Sequence, residues 1–194
     1  PMNVSLVIPA YNEREIILDT IREVSAKLAE LTADYEVLIV DDGSTDGMAE
    51  AVRDCGNPRV RLESYSPNHG KGRAVRVGML AARGDIILCT DADLAYGVDV
   101  FAAMLKRFED SGADLVIGSR RINGEGYKNY PPLRVLTSKC FGLLARTVSG
   151  LIYDTQCGIK GYPRDAAQQI FSQCSMDGFS FDFEVLMRAD KLGL

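Results

Sequence analysis

Histidine is nearly missing from this chain: His69 is the only one in 194 residues. That scarcity argues against a histidine-built metal site and against a Ser/His/Asp relay. Cysteine is sparse and unpatterned. Cys55, Cys89, Cys140, Cys157 and Cys174 are odd in number and contain no Cys-x-x-Cys pair, which fits reduced thiols in a cytosolic setting better than a disulfide frame or a zinc site. No stretch reaches the roughly 18 apolar residues that span a bilayer, and no signal peptide opens the chain. Any work at a membrane is therefore expected at its surface, or through a segment outside this sequence. Positive charge is not in excess either: the net charge of −5 argues against a general nucleic-acid binder. Internal repeats and low-complexity tracts are lacking. What remains is ordinary for a globular protein, with 46% apolar and 25% charged residues. The length fits one domain with a real core.

Apolar runs alternate with helical periodicity. Val4 to Ile8, Glu36 to Val40, a weaker run from Arg59 to Glu63, Asp85 to Thr90, and Leu115 to Ile117 read as strands. Between them, Ile17, Ile21, Val24, Leu28 and Leu31 recur at helical spacing, with Asn12 and Glu15 placed as a capping pair. Further helices are expected after Ser44, from about Gly72 to Ala82 and near Val98 to Asp110. Strands separated by helices predict a mostly parallel sheet covered on both faces, a three-layer α/β/α arrangement. After Ser119 the composition changes, first to a polar, Gly-rich stretch and then to a helical pattern.

Three polar clusters end three of these strands: Pro9-Ala10-Tyr11-Asn12-Glu13, Asp41-Asp42-Gly43-Ser44-Thr45-Asp46 and Asp91-Ala92-Asp93. Carboxyl ends of parallel strands are where open α/β sheets bind ligands. Asp91 and Asp93 are spaced i, i+2, so on extended chain both point to one side. Two carboxylates held together call for a cation, and hard oxygen donors suit Mg²⁺ or Mn²⁺ sharing its shell with substrate phosphates. Each cluster also has a plain reading, as turn chemistry, a helix start or a cap. Their coincidence on one edge favours a single site. Gly70-Lys71-Gly72 is not a phosphate-binding P-loop, because the Gly-Lys-Ser/Thr ending is missing, and Val75 stands where a dinucleotide fingerprint needs a third glycine.

Val7-Ile8-Pro9-Ala10-Tyr11-Asn12-Glu13, Val40 to Asp46, Asn68-His69-Gly70-Lys71-Gly72 and Thr90-Asp91-Ala92-Asp93 together resemble the family 2 glycosyltransferases, whose fold is the GT-A nucleotide-diphosphosugar type. Gly118-Ser119-Arg120, Asp154 to Lys160 and Phe181-Asp182-Phe183-Glu184 resemble the branch that glycosylates polyprenyl phosphates, such as dolichyl-phosphate mannose and glucose synthases. The resemblance implies a metal-dependent, inverting hexosyltransferase. Its donor would be a UDP- or GDP-hexose, held by Pro9, Ala10, Tyr11, Glu13, Asp41, Asp42, Lys71, Asp91 and Ala92. Tyr11 would offer its ring edge to the base, Asp42 would accept from a base N–H, and Glu13 or Asp41 would reach the ribose. Asp91 and Asp93 would be catalytic and hold Mg²⁺ or Mn²⁺, with Asp182 as a further catalytic carboxylate and Glu184 or Asp154 as weaker candidates. Members of the mannose branch often continue Asp-Leu-Gln-His; this chain reads Asp93-Leu94-Ala95-Tyr96, which leans toward the glucosyl branch.

From Gly118 to Arg146, Arg120, Arg121, Lys128, Arg134, Lys139 and Arg146 face the single acid Glu125. A lipid phosphate would bind such a stretch readily. By resemblance, Arg120, Arg134, Ser138 and Lys139 are the acceptor-phosphate residues. A phosphate acceptor is already a nucleophile near neutrality, since its second pKa is about 6; an alcohol acceptor would need a positioned carboxylate. The apolar stripe from Leu133 to Ile152 fits packing on the sheet, the commoner use of such a face, or a place among lipid headgroups. Residues 1–119 are thus expected to bind the donor and 120–194 the acceptor, within one GT-A domain at the cytoplasmic face of a membrane. Because members of the family usually continue, a C-terminal segment is expected to be missing. Transfer to a carbohydrate or glycolipid hydroxyl, and a non-catalytic nucleotide-binding module, are the alternatives.

Overall fold

A fully buried strand of seven residues, Val4–Ala10, forms the axis of the fold. The computed structural model describes residues 2–118 and 157–194. In chain order the elements are β1 (Val4–Ala10), α1 (Ile17–Leu31), β2 (Tyr35–Asp42), α2 (Met48–Arg53), β3 (Val60–Tyr65), α3 (Lys71–Ala81), β4 (Ile86–Cys89), α4 (Val100–Ser111), β5 (Val116–Ile117), β6 (Lys160–Pro163), α5 (Arg164–Phe171) and α6 (Phe181–Leu192). One six-stranded sheet has the order β3-β2-β1-β4-β6-β5. The first four strands run parallel, and β6 is antiparallel to both β4 and β5.

Side-chain alternation along β1 explains the layers. Val4, Leu6 and Ile8 join the core beneath α1, α2 and α4, while Val7 joins the core beneath α3, α5 and α6. A strand buried on both faces has to be apolar throughout, and this one is, apart from Ser5. The Ser5 hydroxyl is satisfied: it donates to Glu36 Oε1 at 2.6 Å and accepts the Gly84 N–H at 2.7 Å. Arg83 N–H adds a second donor to Glu36 Oε1 at 2.8 Å, and Arg61 Nη1 donates to Glu36 Oε2 at 2.6 Å. This cluster ties the entry to β4 onto β1 and β2. The opposite ends of β1, β2 and β4 carry the three polar clusters.

Two local expectations are corrected. Asn12 and Glu15 do not cap α1, whose N-cap is Ile16 with no side-chain cap. Asn12 instead lies at φ 55° and bridges to the next cluster: its N–H donates to Ser44 Oγ at 2.9 Å, and its Oδ1 accepts from Thr45 N–H at 2.8 Å. Residues 160–163 form a strand within the stretch whose sequence pattern reads as helical. Lysine, glycine and proline are poor strand formers, and pairing with a neighbour on each side overrides that preference. Gly161 is required by closeness, since a Cβ there would sit 2.8 Å from Leu88 Cδ2 and 2.9 Å from Phe108 Cε2.

Helix α3 crosses β1 and β2 at Gly78, where an added methyl would run into Val7 Cγ1 and lie 2.9 Å from Val40 Cγ2. Both valines are fully buried. Alanine ordinarily favours a helix over glycine by about 1 kcal/mol, yet here overpacking costs about 1–3 kcal/mol. Gly78→Ala is expected to lower the urea midpoint by a net of about 1 kcal/mol in stability; an equal or raised midpoint would show that α3 is free to lift away.

Candidate functional site

The strand order turns outward on both sides of β1, to β2 on one side and β4 on the other, and a crevice of about 400 Å³ opens at the carboxyl end of that switch point. Pro9, Ala10, Tyr11 and Glu13 line it from the first cluster, Asp42 from the second, and Asp91, Ala92 and Asp93 from the third. Asn68, Gly70, Lys71, Ala74 and Phe179 complete the wall.

The Asp91–Asp93 loop is fixed from two directions. Thr20 Oγ1 on α1 donates to the Ala92 carbonyl at 2.7 Å in the interior. Asp93 Oδ1 accepts the Ala95 N–H at 3.1 Å, and Leu94 between them stands at φ 47°. Leu94 and Asn12 are the non-glycine residues with positive φ among those described, and both flank the crevice. Such backbone is costly for leucine and persists where surroundings enforce it. Position 95 therefore serves Asp93 through its amide, which any side chain but proline would leave in place.

Charge is concentrated here. Burial, reinforced by repulsion from Asp93 and Asp46, holds the Glu13 carboxyl above its ordinary value. Lys71, the first residue of α3, sets its Nζ 2.5 Å from Asp91 Oδ1. Burial alone would pull that ammonium's pKa down; Asp91 more than offsets it, with Asp182 adding to the field, so the net shift is upward. Behind Lys71, a hollow of about 20 Å³ is lined by Lys71, Gly158, Lys160 and Asp182 among others. There Lys160 Nζ donates to Asp182 Oδ1 and to the Cys157 carbonyl, each at 2.6 Å. Burial raises the Asp182 carboxyl above its usual value, although Lys160 and Lys71 pull the other way.

Several expected site residues are placed otherwise. Asp41 is revised: it is 2% exposed, does not line the crevice, and its carboxylate accepts from Ser44 N–H at 2.9 Å and Ser64 Oγ at 2.8 Å. Asp42 does line the crevice, but it also organises the wall. Its carboxylate accepts from His69 N–H and Gly70 N–H, both at 2.8 Å, and from Asn68 Nδ2 at 2.9 Å. Asp182 stands at the hollow behind Lys71 rather than in the crevice wall. Glu184 is a clasp for the segment before α6: its carboxylate accepts from Ser175 N–H at 2.9 Å and Met176 N–H at 2.7 Å. The glycines around Lys71 admit that same segment, since a Cβ on Gly70 or Gly72 would lie 2.6 Å from the Asp177 or Met176 carbonyl oxygen. Gly72 N–H donates to the Asp177 carbonyl at 2.8 Å. Arg120, Arg134, Ser138, Lys139 and Asp154 lie outside the described residues.

Sequence reasoning gave no site role to Phe179, Asn68 or Lys160, although Asn68 and Lys160 lie within the motifs that carry the resemblance. Phe179 is 79% exposed on the crevice rim, and no local pattern announces it. Lys160 did carry a signal, a lysine set between Ile159 and Gly161-Tyr162.

Among the described residues, no group of three or more His, Cys, Asp or Glu side chains is arranged to hold a metal alone. Asp91 and Asp93 offer carboxylate oxygens on one wall. That donor set fits a hard divalent cation that takes the rest of its shell from water and phosphate.

Residues 5–171 match the family model described as glycosyl transferase family 2. The chain is 35% identical over 199 residues to a dolichyl-phosphate beta-glucosyltransferase of Trichomonas vaginalis, covering 95% of this chain and 59% of that protein. Against the human dolichyl-phosphate beta-glucosyltransferase it is 33% identical over 199 residues, covering 94% of this chain and 61% of that protein. The chain thus spans about three fifths of the length of these curated relatives. A crystal structure of glucosyl-3-phosphoglycerate synthase from Mycobacterium tuberculosis, in complex with Mn²⁺, uridine-diphosphate and glucosyl-3-phosphoglycerate, superimposes with a TM-score of 0.70. It is 22% identical, with 100% of this chain and 67% of that chain covered, and shares the fold.

Burial raises the Glu184 carboxyl, but the N–H groups of Met176 and Ser175 outweigh it, so its folded pKa lies below the ordinary 4.5. The stability it supplies is present above that unfolded value and is lost as pH falls through the folded one. Glu184→Ala, which strands two N–H groups, should cost about 2 kcal/mol near neutrality. The gap between parent and variant, measured by urea melts, should shrink as pH drops below 4.5; a gap constant with pH would refute the clasp.

Proposed function

Since the chain belongs to glycosyl transferase family 2, we propose that it is an inverting hexosyltransferase that moves glucose from a nucleotide diphosphosugar to a dolichyl-type polyprenyl phosphate. The carrying observation is the convergence of Asp91, Asp93 and Lys71 in one crevice at the switch point of the sheet. The names of the relatives, dolichyl-phosphate beta-glucosyltransferases, support the choice of sugar and acceptor. The neighbouring structure with uridine-diphosphate and Mn²⁺ supports UDP as the nucleotide and a divalent cation as cofactor, Mg²⁺ or Mn²⁺.

In this reading the donor lies along the carboxyl edge of β1. Tyr11, 46% exposed at the lip, flanks the nucleoside. Asp42 shapes the wall through the 68–70 backbone, and Glu13 reaches the ribose hydroxyls. Asp91 and Asp93 would hold the divalent cation, which when bound offsets the charge that develops on the leaving diphosphate. Lys71 adds a fixed ammonium on the same side. No general base is required, because the acceptor phosphate is already ionised near pH 7. Asp182, paired with Lys160, then acts on Lys71 through its field rather than on the acceptor.

Residues 1–119 build most of the donor side, and 120–194 supply the acceptor side, with Arg120, Arg134, Ser138 and Lys139 on the lipid phosphate. From that half Phe179 reaches the crevice, and Lys160 and Asp182 reach the hollow behind Lys71. The protein works at the cytoplasmic face of a membrane; among the described residues, no helix is long and apolar enough to cross one.

A thermal-shift panel of UDP-, GDP- and dTDP-sugars with and without Mn²⁺ tests the donor. Ligand at a hundredfold excess over Kd stabilises the folded state by about 2.7 kcal/mol, so UDP-glucose with Mn²⁺ should raise Tm by several degrees. No shift with any sugar nucleotide would overturn the reading. Arg134→Ala should abolish transfer to polyprenyl phosphate while donor binding persists; unchanged transfer would remove the phosphate acceptor.

A further inference from the structure

Four charged side chains alternate in sign from the crevice to the hollow behind Lys71. Asp91 meets Lys71 at 2.5 Å, and Lys71 faces a hollow that Asp182 and Lys160 also line. Asp182 Oδ1 in turn meets Lys160 Nζ at 2.6 Å. Lys160 is 5% exposed and is brought there by β6, whose register places it beside Cys89, two residues ahead of Asp91. The set is electrically balanced as it stands. Among the described residues, the cation held at Asp91 is the Lys71 ammonium.

A divalent cation on the same carboxylate would upset that balance. An ammonium 2.5 Å from Asp91 Oδ1 would face a double positive charge at the same oxygens, in a setting only about a quarter exposed, where repulsion is poorly screened. Asp91 Oδ2 lies against Gly158, where a Cβ would collide with it, so the glycine admits the carboxylate to this position. Lys71 has another carboxylate to meet, on the far side of a hollow large enough for about one water.

We propose that Lys71 is the resident countercharge of Asp91 in the empty crevice, that an entering divalent cation displaces it, and that Asp182, positioned by Lys160, receives it. Lysine suits this task better than arginine, being a compact charge on a flexible stem. The exchange keeps Asp91 from standing uncompensated before the cation arrives. Afterwards it leaves the ammonium at the floor of the crevice, facing the diphosphate. Lys160 and Asp182 are positioning residues: they set where Lys71 goes and touch no reacting atom. The inference rests on reading this crevice as a cation- and diphosphate-binding site.

Calorimetric titration with MnCl₂ alone separates it from that reading. Lys71→Met removes the competitor, so Mn²⁺ should bind on the order of tenfold tighter, the scale of one lost charge contact in a partly solvated site, while UDP binding in the presence of Mn²⁺ weakens. Lys71→Arg keeps the charge and should leave Mn²⁺ affinity close to that of the parent. Asp182→Asn deprives Lys71 of its second partner and should weaken Mn²⁺ binding severalfold. Should Lys71→Met not fold, judged by circular dichroism, Lys71→Gln carries the same expectation. If the parent takes up UDP with Mn²⁺ but Lys71→Met and Lys71→Gln bind Mn²⁺ no more tightly, the exchange is overturned and the transferase reading stands. A parent that takes up neither Mn²⁺ nor UDP overturns both.

Discussion

Like charges crowded at one sheet edge must be compensated, and much of this molecule is arranged around that demand. Asp42, Glu13, Asp91 and Asp93 converge where β1, β2 and β4 end. Each is answered differently. Backbone amides of the 68–70 turn satisfy Asp42, an ammonium satisfies Asp91, and Glu13 yields by holding its proton more tightly. Asp93 keeps one amide and faces the open crevice. Asp93 is therefore the least compensated of the four, and a hard cation shared between it and Asp91 gains most there.

The GT-A sheet itself was largely legible in the sequence. Val4 to Ile8, Glu36 to Val40 and Asp85 to Thr90 are apolar because strands covered on both faces leave no polar alternation, and their polar terminators mark the binding edge. Asp91 and Asp93 stood out because their spacing is a local property, although the structure sets them in a turn closed by the Leu94 N–H on the Asp91 carbonyl at 3.1 Å rather than on extended chain. What escaped notice depends on contacts distant in sequence. Lys160 becomes a strand residue only through β4 and β5, more than 40 positions earlier in the chain. Phe179 reaches the rim because Glu184 and Asp177 tie its segment across the start of α3. Asp41 and Asp42 are neighbours of one residue type, yet alternation sends one inward to Ser44 and Ser64 and the other to the crevice wall. Residue type alone could not tell them apart.

The segment before α6 ties α6 to α3 within the core on one face of the sheet. Its Ser175 and Met176 amides hang on Glu184, its Asp177 carbonyl accepts from Gly72, and its Asp177 carboxylate takes Arg76 Nη2 at 2.7 Å. Residues near the end of the chain thus hold the first turn of α3, the turn that carries Lys71. A change in α6 would reach the crevice through packed, hydrogen-bonded neighbours with no rearrangement of the sheet.

The sheet order β4-β6-β5 has one more consequence, for how the polypeptide is made. During synthesis β5 leaves the ribosome before the strand that joins it to the sheet. Some forty further residues must emerge before 160–163 can wedge between it and β4. Until then β4 keeps an open edge, the kind of surface that invites mispairing, and the buried lysine that completes the binding floor is not yet in place. Vectorial translation would yield the β1–β4 lobe first and a finished pocket last.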